Sequence, residues 1–328
     1  MRLKLIFRIL ISIGISMLLL WILFSMIQKR PGELVLQDMF TIAGNLPPWT
    51  VLPYIACTLA HVWFRTLRYR LLLRTGMENP ETIPIPAMFF LTLSRNMFVD
   101  MLPSRLGEAS YLILLKRVLG TRLAHGLSSL SVSFAFDLVA LTSLVFAIGG
   151  IGLFFGQPSR PLLLLIAFLA VIVSLGLVLL FFGLGWVLNI AESLFSGFRR
   201  YKPVQSLLRI FEETWASITF IRDRGVLFET FLFSLCVRFF KYTGLFFLLY
   251  IILTTAFAPV ATHQLDDLFF SLITGEVAAS MPIPTFMGFG SYEMGATWML
   301  TSTGYTVSQA AIAVFLLHLL SQIINYTL

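Results

Sequence analysis

A polar passage broken by proline and glycine, Asn96-Met-Phe-Val-Asp-Met-Leu-Pro-Ser-Arg-Leu-Gly-Glu108, interrupts a chain that is otherwise strongly apolar. A second passage of the same kind runs from Gly275 to Glu293 and holds Pro282, Pro284, Gly288 and Gly290. In lipid no water is at hand to satisfy loose amides and carbonyls, so backbone that leaves the helix must be buried in protein or line a wet cavity. Two such breaks restrict the chain to helices arranged around protected, polar interruptions.

Composition supports a membrane setting. With 58% hydrophobic residues, 12% charged residues and a mean hydropathy of +0.90, 328 residues lack the polar surface to close a soluble globule. Lys and Arg exceed Asp and Glu by 23 to 16, but the basic residues cluster beside apolar spans. The positive-inside rule accounts for them, and nucleic acid is not an expected partner. Arg2, Lys4 and Arg8 precede an apolar run from Ile9 to Ile27 that is long enough to span and has no small-residue cleavage site, so a retained first helix is expected. Cys57 and Cys236 sit in apolar spans without clustered histidines, which supports neither a disulfide framework nor a zinc site. No Walker loop or convincing dinucleotide fingerprint is present, and no cofactor is expected.

The apolar runs predict an all-α polytopic protein with about six full transmembrane helices: Leu5 to Ile27, Trp49 to Leu73, Leu123 to Ile148, Leu162 to Ala191, Val226 to Thr254 and Thr306 to Tyr326. Gly32 to Pro48 reads as a short polar connector. Between the second and third spans, the runs from Pro86 to Pro103 and Leu106 to Leu119 each supply about 12 to 17 residues, below the roughly 20 used to cross a bilayer. They are expected to form a re-entrant hairpin, and a second broken hairpin is expected over Asp267 to Thr303. After the fourth span, Val204, Leu207, Leu208, Phe211, Trp215, Ile218 and Ile221 recur at helical spacing within a basic stretch. That pattern predicts an amphipathic helix on the cytoplasmic surface. The charge bias puts both termini in the cytoplasm of a cell with this protein in its inner membrane.

Arg65-Thr-Leu-Arg68-Tyr69 is echoed by Arg238-Phe-Phe-Lys241-Tyr242, and Phe89-Phe90 by Phe269-Phe270. Each series then reaches a proline, a glycine and a glutamate, Glu108 or Glu293. The same order twice predicts a repeat. The intervening elements make the second copy cross the membrane in the opposite sense, so the repeat is inverted, the architecture of alternating access. The expected organisation is one transmembrane domain over 1–328, with a first repeat at 49–150, a cytoplasmic amphipathic and basic segment at 192–225 and a second repeat at 226–328.

An ionisable residue in mid-span costs about 2.5 to 3.5 kcal/mol on insertion scales, so several of them need partners or a wet cavity. Arg65 and Arg68 share a helix face, as do Arg238 and Lys241. One reading makes them two cationic clamps for a phosphate or other anionic headgroup; the other has them snorkel to the interface. Half-helix N-termini at the hairpin tips attract anions and also suit a capping carboxylate. Glu108 and Glu293 are therefore either caps or proton carriers, the latter paired with Arg105 or a clamp arginine. Arg95, Asp100, Asp137 and Glu276 are further candidates for a cavity lining, with Asp137 also suited to a buried structural partnership with an arginine. His125, His263 and His318 are isolated in sequence and read as packing residues.

Asn96 followed by Leu102-Pro103-Ser-Arg105-Leu-Gly107-Glu108, then Leu114-Leu115-Lys-Arg117 and Gly120, with Asp137 on the next helix, resembles the lysylphosphatidylglycerol synthase transmembrane-region family. Pro282 to Glu293 and the arginine pair after Trp63 extend the resemblance over nearly the whole chain. The chain departs from the commoner family pattern where Ser133-Phe-Ala-Phe136 precedes Asp137 in place of a Glu-Arg pair. In bifunctional synthases this kind of domain moves an aminoacylated phospholipid between leaflets, while a soluble domain makes it. The resemblance thus implies a stand-alone lipid translocase without that soluble domain.

Its cargo is expected to be an anionic or zwitterionic phospholipid or an isoprenoid-linked carrier, and a lipid synthase or glycosyltransferase is the expected class of protein partner. On this reading Arg65, Arg68, Arg238, Lys241, Arg105 and Asn96 bind substrate, and Glu108, Glu293, Asp137 and Glu276 gate or relay protons. Two alternatives stand beside it: an intramembrane transferase acting on a phospholipid or polyprenyl phosphate, and a non-transporting partner of a lipid or glycan synthase.

Overall fold

The computed structural model describes residues 2–25, 36–76, 83–101, 107–155, 168, 171, 175–176, 202–257, 265–281 and 283–328. Among these residues every regular element is helical: α1 (Arg2–Ser25), α2 (Leu36–Asn45), a 3-10 turn (Pro48–Thr50), α3 (Val51–Thr75), α4 (Ile85–Met101), α5 (Gly107–Leu119), α6 (Leu123–Phe155), α7 (Lys202–Asp223), α8 (Leu227–Ala256), α9 (Leu265–Ser280), α10 (Ser291–Ser302) and α11 (Val307–Thr327). Helices answer the demand lipid makes of backbone, since each closes its hydrogen bonds within one segment. Leu123–Gly150 of α6, Leu227–Ala256 and Val307–Thr327 are long and apolar enough to cross a membrane, and Ile9–Ser25 and Ile85–Val99 are shorter apolar stretches. Trp21, Trp49, Phe90, Phe228 and Trp298 are all exposed, an exterior suited to lipid as solvent and costly in water.

Most of the expected fourth span, Leu162 to Ala191, and the tip of the first hairpin, 102–106, lie outside the described residues. The stretch from Gly32 to Pro48 departs from expectation, because it contains α2 instead of an irregular connector. Met39 and Ile42 of α2 are buried, and the helix packs on α11. Their three-residue spacing gives a short helix one apolar side, which is enough to fold it when a neighbour covers that side.

The chain divides into two compact units. The first comprises Met1–Ala60, Ser94–Ser110 and Phe240–Leu328. Within it α9 packs along α10, and α10 along α11 and α1. A Cβ on Gly295 would lie 2.6 Å from the Ala278 Cβ and 2.7 Å from the Thr274 carbonyl oxygen, and Gly275 faces Tyr292 and Ala296. These contacts join the later half of α9 to the first half of α10, so the two arms meet through small residues. The arms have 16 and 12 residues, about 24 and 18 Å at ~1.5 Å per residue. At the turn, Gly290 has φ +90°, a conformation that favours glycine. The Glu293 carboxylate accepts from the Gly290 amide at 2.6 Å, which satisfies one of the loose donors at the start of α10. The start of α11 is fixed by a reciprocal pair: Gln309 N–H donates to the Thr306 hydroxyl at 3.2 Å, and Thr306 N–H donates to Gln309 Oε1 at 3.1 Å.

The second unit comprises His61–Leu93 and Tyr111–Phe239. One core joins Tyr69, Leu73, Met88, Tyr111 and Leu115, with the Tyr69 and Tyr111 rings 4.6 Å apart. Another joins Leu72, Val132, Phe136, Ile218 and Ile221. The helical spacing read from the basic stretch is realised in α7. Its Leu208, Ile218 and Ile221 are buried, while Phe211 stays 40% exposed. The C-terminal part of that stripe is thus covered by protein, and Ser217 ties it down by donating to the Gly76 carbonyl at 3.0 Å.

Candidate functional site

In the second unit, α3 carries Arg68 to a position with no exposed surface. Its Nη1 donates to Asp137 Oδ1 at 2.7 Å and its Nη2 to Asp137 Oδ2 at 3.2 Å, a bidentate pair between α3 and α6. Nη1 also donates to the Ser234 hydroxyl at 2.7 Å, and that hydroxyl donates in turn to the Thr230 carbonyl at 2.7 Å. Arg238, one turn beyond Ser234 on α8, brings Nε to 3.6 Å from Asp137 Oδ1. Arg65 also acts electrostatically on Asp137. Two guanidinium groups, one from α3 and one from α8, therefore share one carboxylate on α6. A buried pair of this kind is weak evidence for net stability, since desolvation offsets most of its attraction, yet removing one partner is costly.

In the first unit, Lys241 on α8 brings Nζ to 2.8 Å from Glu276 Oε1 on α9. The adjacent Tyr242 hydroxyl donates to Glu276 Oε2. Both charged side chains are partly open, 30% for Lys241 and 24% for Glu276. Arg95 on α4 pairs with Glu108 at the start of α5, and its Nη1 donates to Asn96 Oδ1 at 3.2 Å. Glu108 is thus joined to Arg95, whereas Arg105 lies outside the described residues, as does the Asp100 side chain.

Glu293 is fully buried. Besides capping α10, it meets His318 Nδ1 on α11 through Oε1 at 2.6 Å. His318 Nε2 is 3.1 Å from Gln322 Nε2, so one tautomer satisfies the chain: Nδ1–H donates to Glu293 and Nε2 accepts from the Gln322 amide. The imidazole is flanked by the Phe289 and Tyr292 rings at 4.4 and 4.7 Å. The Tyr292 hydroxyl and Gln322 Oε1 are buried beside this chain without a hydrogen-bond partner among the described residues.

The structure therefore brings Arg68, Arg238 and Asp137 together, joins Lys241 to Glu276, and places Asn96 and Glu108 on Arg95. His318, read as a packing residue, is buried between two rings and is in addition hydrogen-bonded at both nitrogens. Sequence reasoning also missed Ser234 and the role of Tyr242. A signal for Ser234 existed in its four-residue offset from Arg238, which puts both on one helix face. Nothing in the sequence ties His318 to Glu293.

These clusters place charge in otherwise apolar helices, where each charge needs a partner or a polar cavity. Comparison with curated proteins and with solved structures finds no match. The model of the family described as lysylphosphatidylglycerol synthase TM region matches residues 8–328, so this chain, whose described residues include three helices of membrane length, belongs to that membrane family of phospholipid metabolism.

Proposed function

We propose that this protein is a lipid translocase, moving an anionic or zwitterionic phospholipid or an isoprenoid-linked carrier between leaflets of the inner membrane. The observation that carries the reading is the cluster in which Arg68 of α3 meets Asp137, Ser234 and Arg238, the latter three on helices of membrane length. Ionised groups at such depth are expensive and are retained where something polar must pass. A headgroup cannot cross hydrocarbon unaided, whereas a polar path can carry it while the tails stay in lipid.

On this reading Arg65, Arg68, Arg238, Lys241, Arg105 and Asn96 bind the headgroup phosphate. Asp137, Glu276, Glu108 and Glu293 hold those cations or ring nitrogens while the path is empty and release them to the cargo, relaying protons as they do so. The six-span plan, with both termini cytoplasmic, two re-entrant hairpins and inverted repeats at 49–150 and 226–328, belongs to the same proposal. It is supported by the short arms of α4, α5, α9 and α10.

The test is leaflet accessibility in proteoliposomes, with fluorescent phospholipids and a labelled isoprenoid phosphate, comparing wild type with an Arg65→Ala/Arg238→Ala variant shown to be folded by size-exclusion chromatography. Faster equilibration that depends on those arginines supports translocation. Equal rates with and without protein, for every lipid and with an imposed ion gradient, would overturn it. A new covalent lipid product would favour an intramembrane transferase.

A further inference from the structure

Within the second unit, a cavity of about 340 Å³ is lined by Leu67, Arg70, Leu71, Arg74, Thr75, Arg224, Glu229 and Phe233. It shares no residue with the Arg68–Asp137 cluster. The volume falls within the range of ~300–1,000 Å³ usual for small-molecule sites. Arg74 and Thr75 are the last residues of α3, Arg224 directly follows α7, and Glu229 lies in the first turn of α8. Leu67, Leu71 and Phe233 lie one to two turns further into α3 and α8, roughly 5 to 10 Å at the pitch of an α-helix. The wall is therefore charged where a membrane-length helix begins and apolar where that helix enters its hydrophobic stretch.

Three guanidiniums face one carboxylate. Arg70 Nε donates to the Ile83 carbonyl at 2.8 Å and Arg224 Nη1 to the Thr75 carbonyl at 3.2 Å. Each guanidinium carries five N–H donors, so these bonds orient the side chains while leaving most donors uncommitted. Arg74 and Glu229 make no ion pair or hydrogen bond among the described residues. An open, net-cationic groove in which Arg70 and Arg224 are held and Arg74 is free to adjust selects phosphate by bidentate hydrogen bonding, and basic pockets between membrane helices hold lipid headgroups.

We infer that this cavity binds an anionic phospholipid, with the phosphodiester on Arg74, Arg224 and Arg70 and the start of an acyl chain along Leu67, Leu71 and Phe233. The apolar inner wall distinguishes a lipid from a soluble phosphate, which would leave that surface wet. Glu229 offsets one arginine and keeps the site selective for a net negative headgroup. The site is separate from the translocation path proposed above and stands or falls independently of it.

The test is native mass spectrometry of the purified full chain in detergent, titrated with dioctanoyl phosphatidylglycerol, glycerol phosphate and dioctanoylglycerol. Phosphatidylglycerol is expected to bind, and Arg74→Gln/Arg224→Gln to weaken it by about tenfold or more, each lost charge-assisted contact being of that order. Glycerol phosphate and dioctanoylglycerol should each bind at least about tenfold more weakly, since each retains only half of the contacts. Arg209→Gln, at an exposed arginine of α7 outside the groove, should leave binding unchanged, and size-exclusion profiles check that both variants fold. Equal binding by wild type and the double arginine variant would overturn the site. So would glycerol phosphate or dioctanoylglycerol binding as tightly as the phospholipid.

Discussion

Arg68 grips Asp137 with both terminal nitrogens, at 2.7 and 3.2 Å, and none of the arginine reaches the surface. Two helices, α3 and α6, are thereby pinned by one fork of hydrogen bonds whose failure cannot be relieved by water. Removing only the carboxylate charge leaves an uncompensated guanidinium. We expect Asp137→Asn to destabilise the fold by about 3–5 kcal/mol, the cost of a broken buried pair. The measurement is unfolding in detergent. Arg68→Met/Asp137→Leu/Arg238→Met should recover most of that loss, because it removes the carboxylate together with both guanidiniums that share it; a triple variant as unstable as the single one would refute the account.

Lys241 and Glu276 are partly exposed, so their pair contributes little to stability. Lys241→Gln and Glu276→Gln are expected to change unfolding by less than about 1 kcal/mol. Each should nevertheless slow leaflet equilibration by about tenfold if these groups handle cargo, as a lost headgroup contact of ~1.4 kcal/mol implies. Loss of stability together with transport would assign the pair a structural role instead.

His318 should carry its proton on Nδ1. That is the tautomer in which Glu293 accepts and the Gln322 amide donates. Nitrogen-15 NMR of ring-labelled protein reads it directly, with an Nε2–H signal as the contrary result. Glu293→Ala removes the cap of α10 and the imidazole's partner together, and should cost about 1–3 kcal/mol.

Gly295→Ala tests the closeness of the hairpin arms. With a methyl group 2.6 Å from the Ala278 Cβ, the arms must separate, at about 1–3 kcal/mol for an overpacked contact. Gly44→Ala, where a Cβ meets nothing within 4 Å, is the matched control and should be close to neutral in the same unfolding measurement.

The broken hairpin at Gly275 to Glu293 was legible because proline and glycine are local instructions: they forbid or free particular backbone angles whatever surrounds them. Of the six expected spans, those over Leu123–Gly150, Leu227–Ala256 and Val307–Thr327 are helices of membrane length, and they were legible for a similar reason, since apolar length is a sum over neighbours in sequence. Asp137 stood out as a charge with no place in a span, and its suitability as an arginine partner followed from that cost. Which arginine it meets did not, because Arg68 lies 69 residues away.

The helix at Leu36–Asn45 was obscured by its polar flanks, although Met39 and Ile42 already marked the side that α11 covers. The basic residues Arg70, Arg74 and Arg224 read as flanking charge, since a cavity is a property of three helix ends that only packing brings together. Backbone preference and hydrophobic length, both local, determined the helical architecture and the break between α9 and α10. The pairing of Glu293 with His318, of Lys241 with Glu276 and of Arg95 with Glu108 was decided by tertiary structure. Interactions between side chains fall off within a few ångströms, and sequence separation carries no information about that distance.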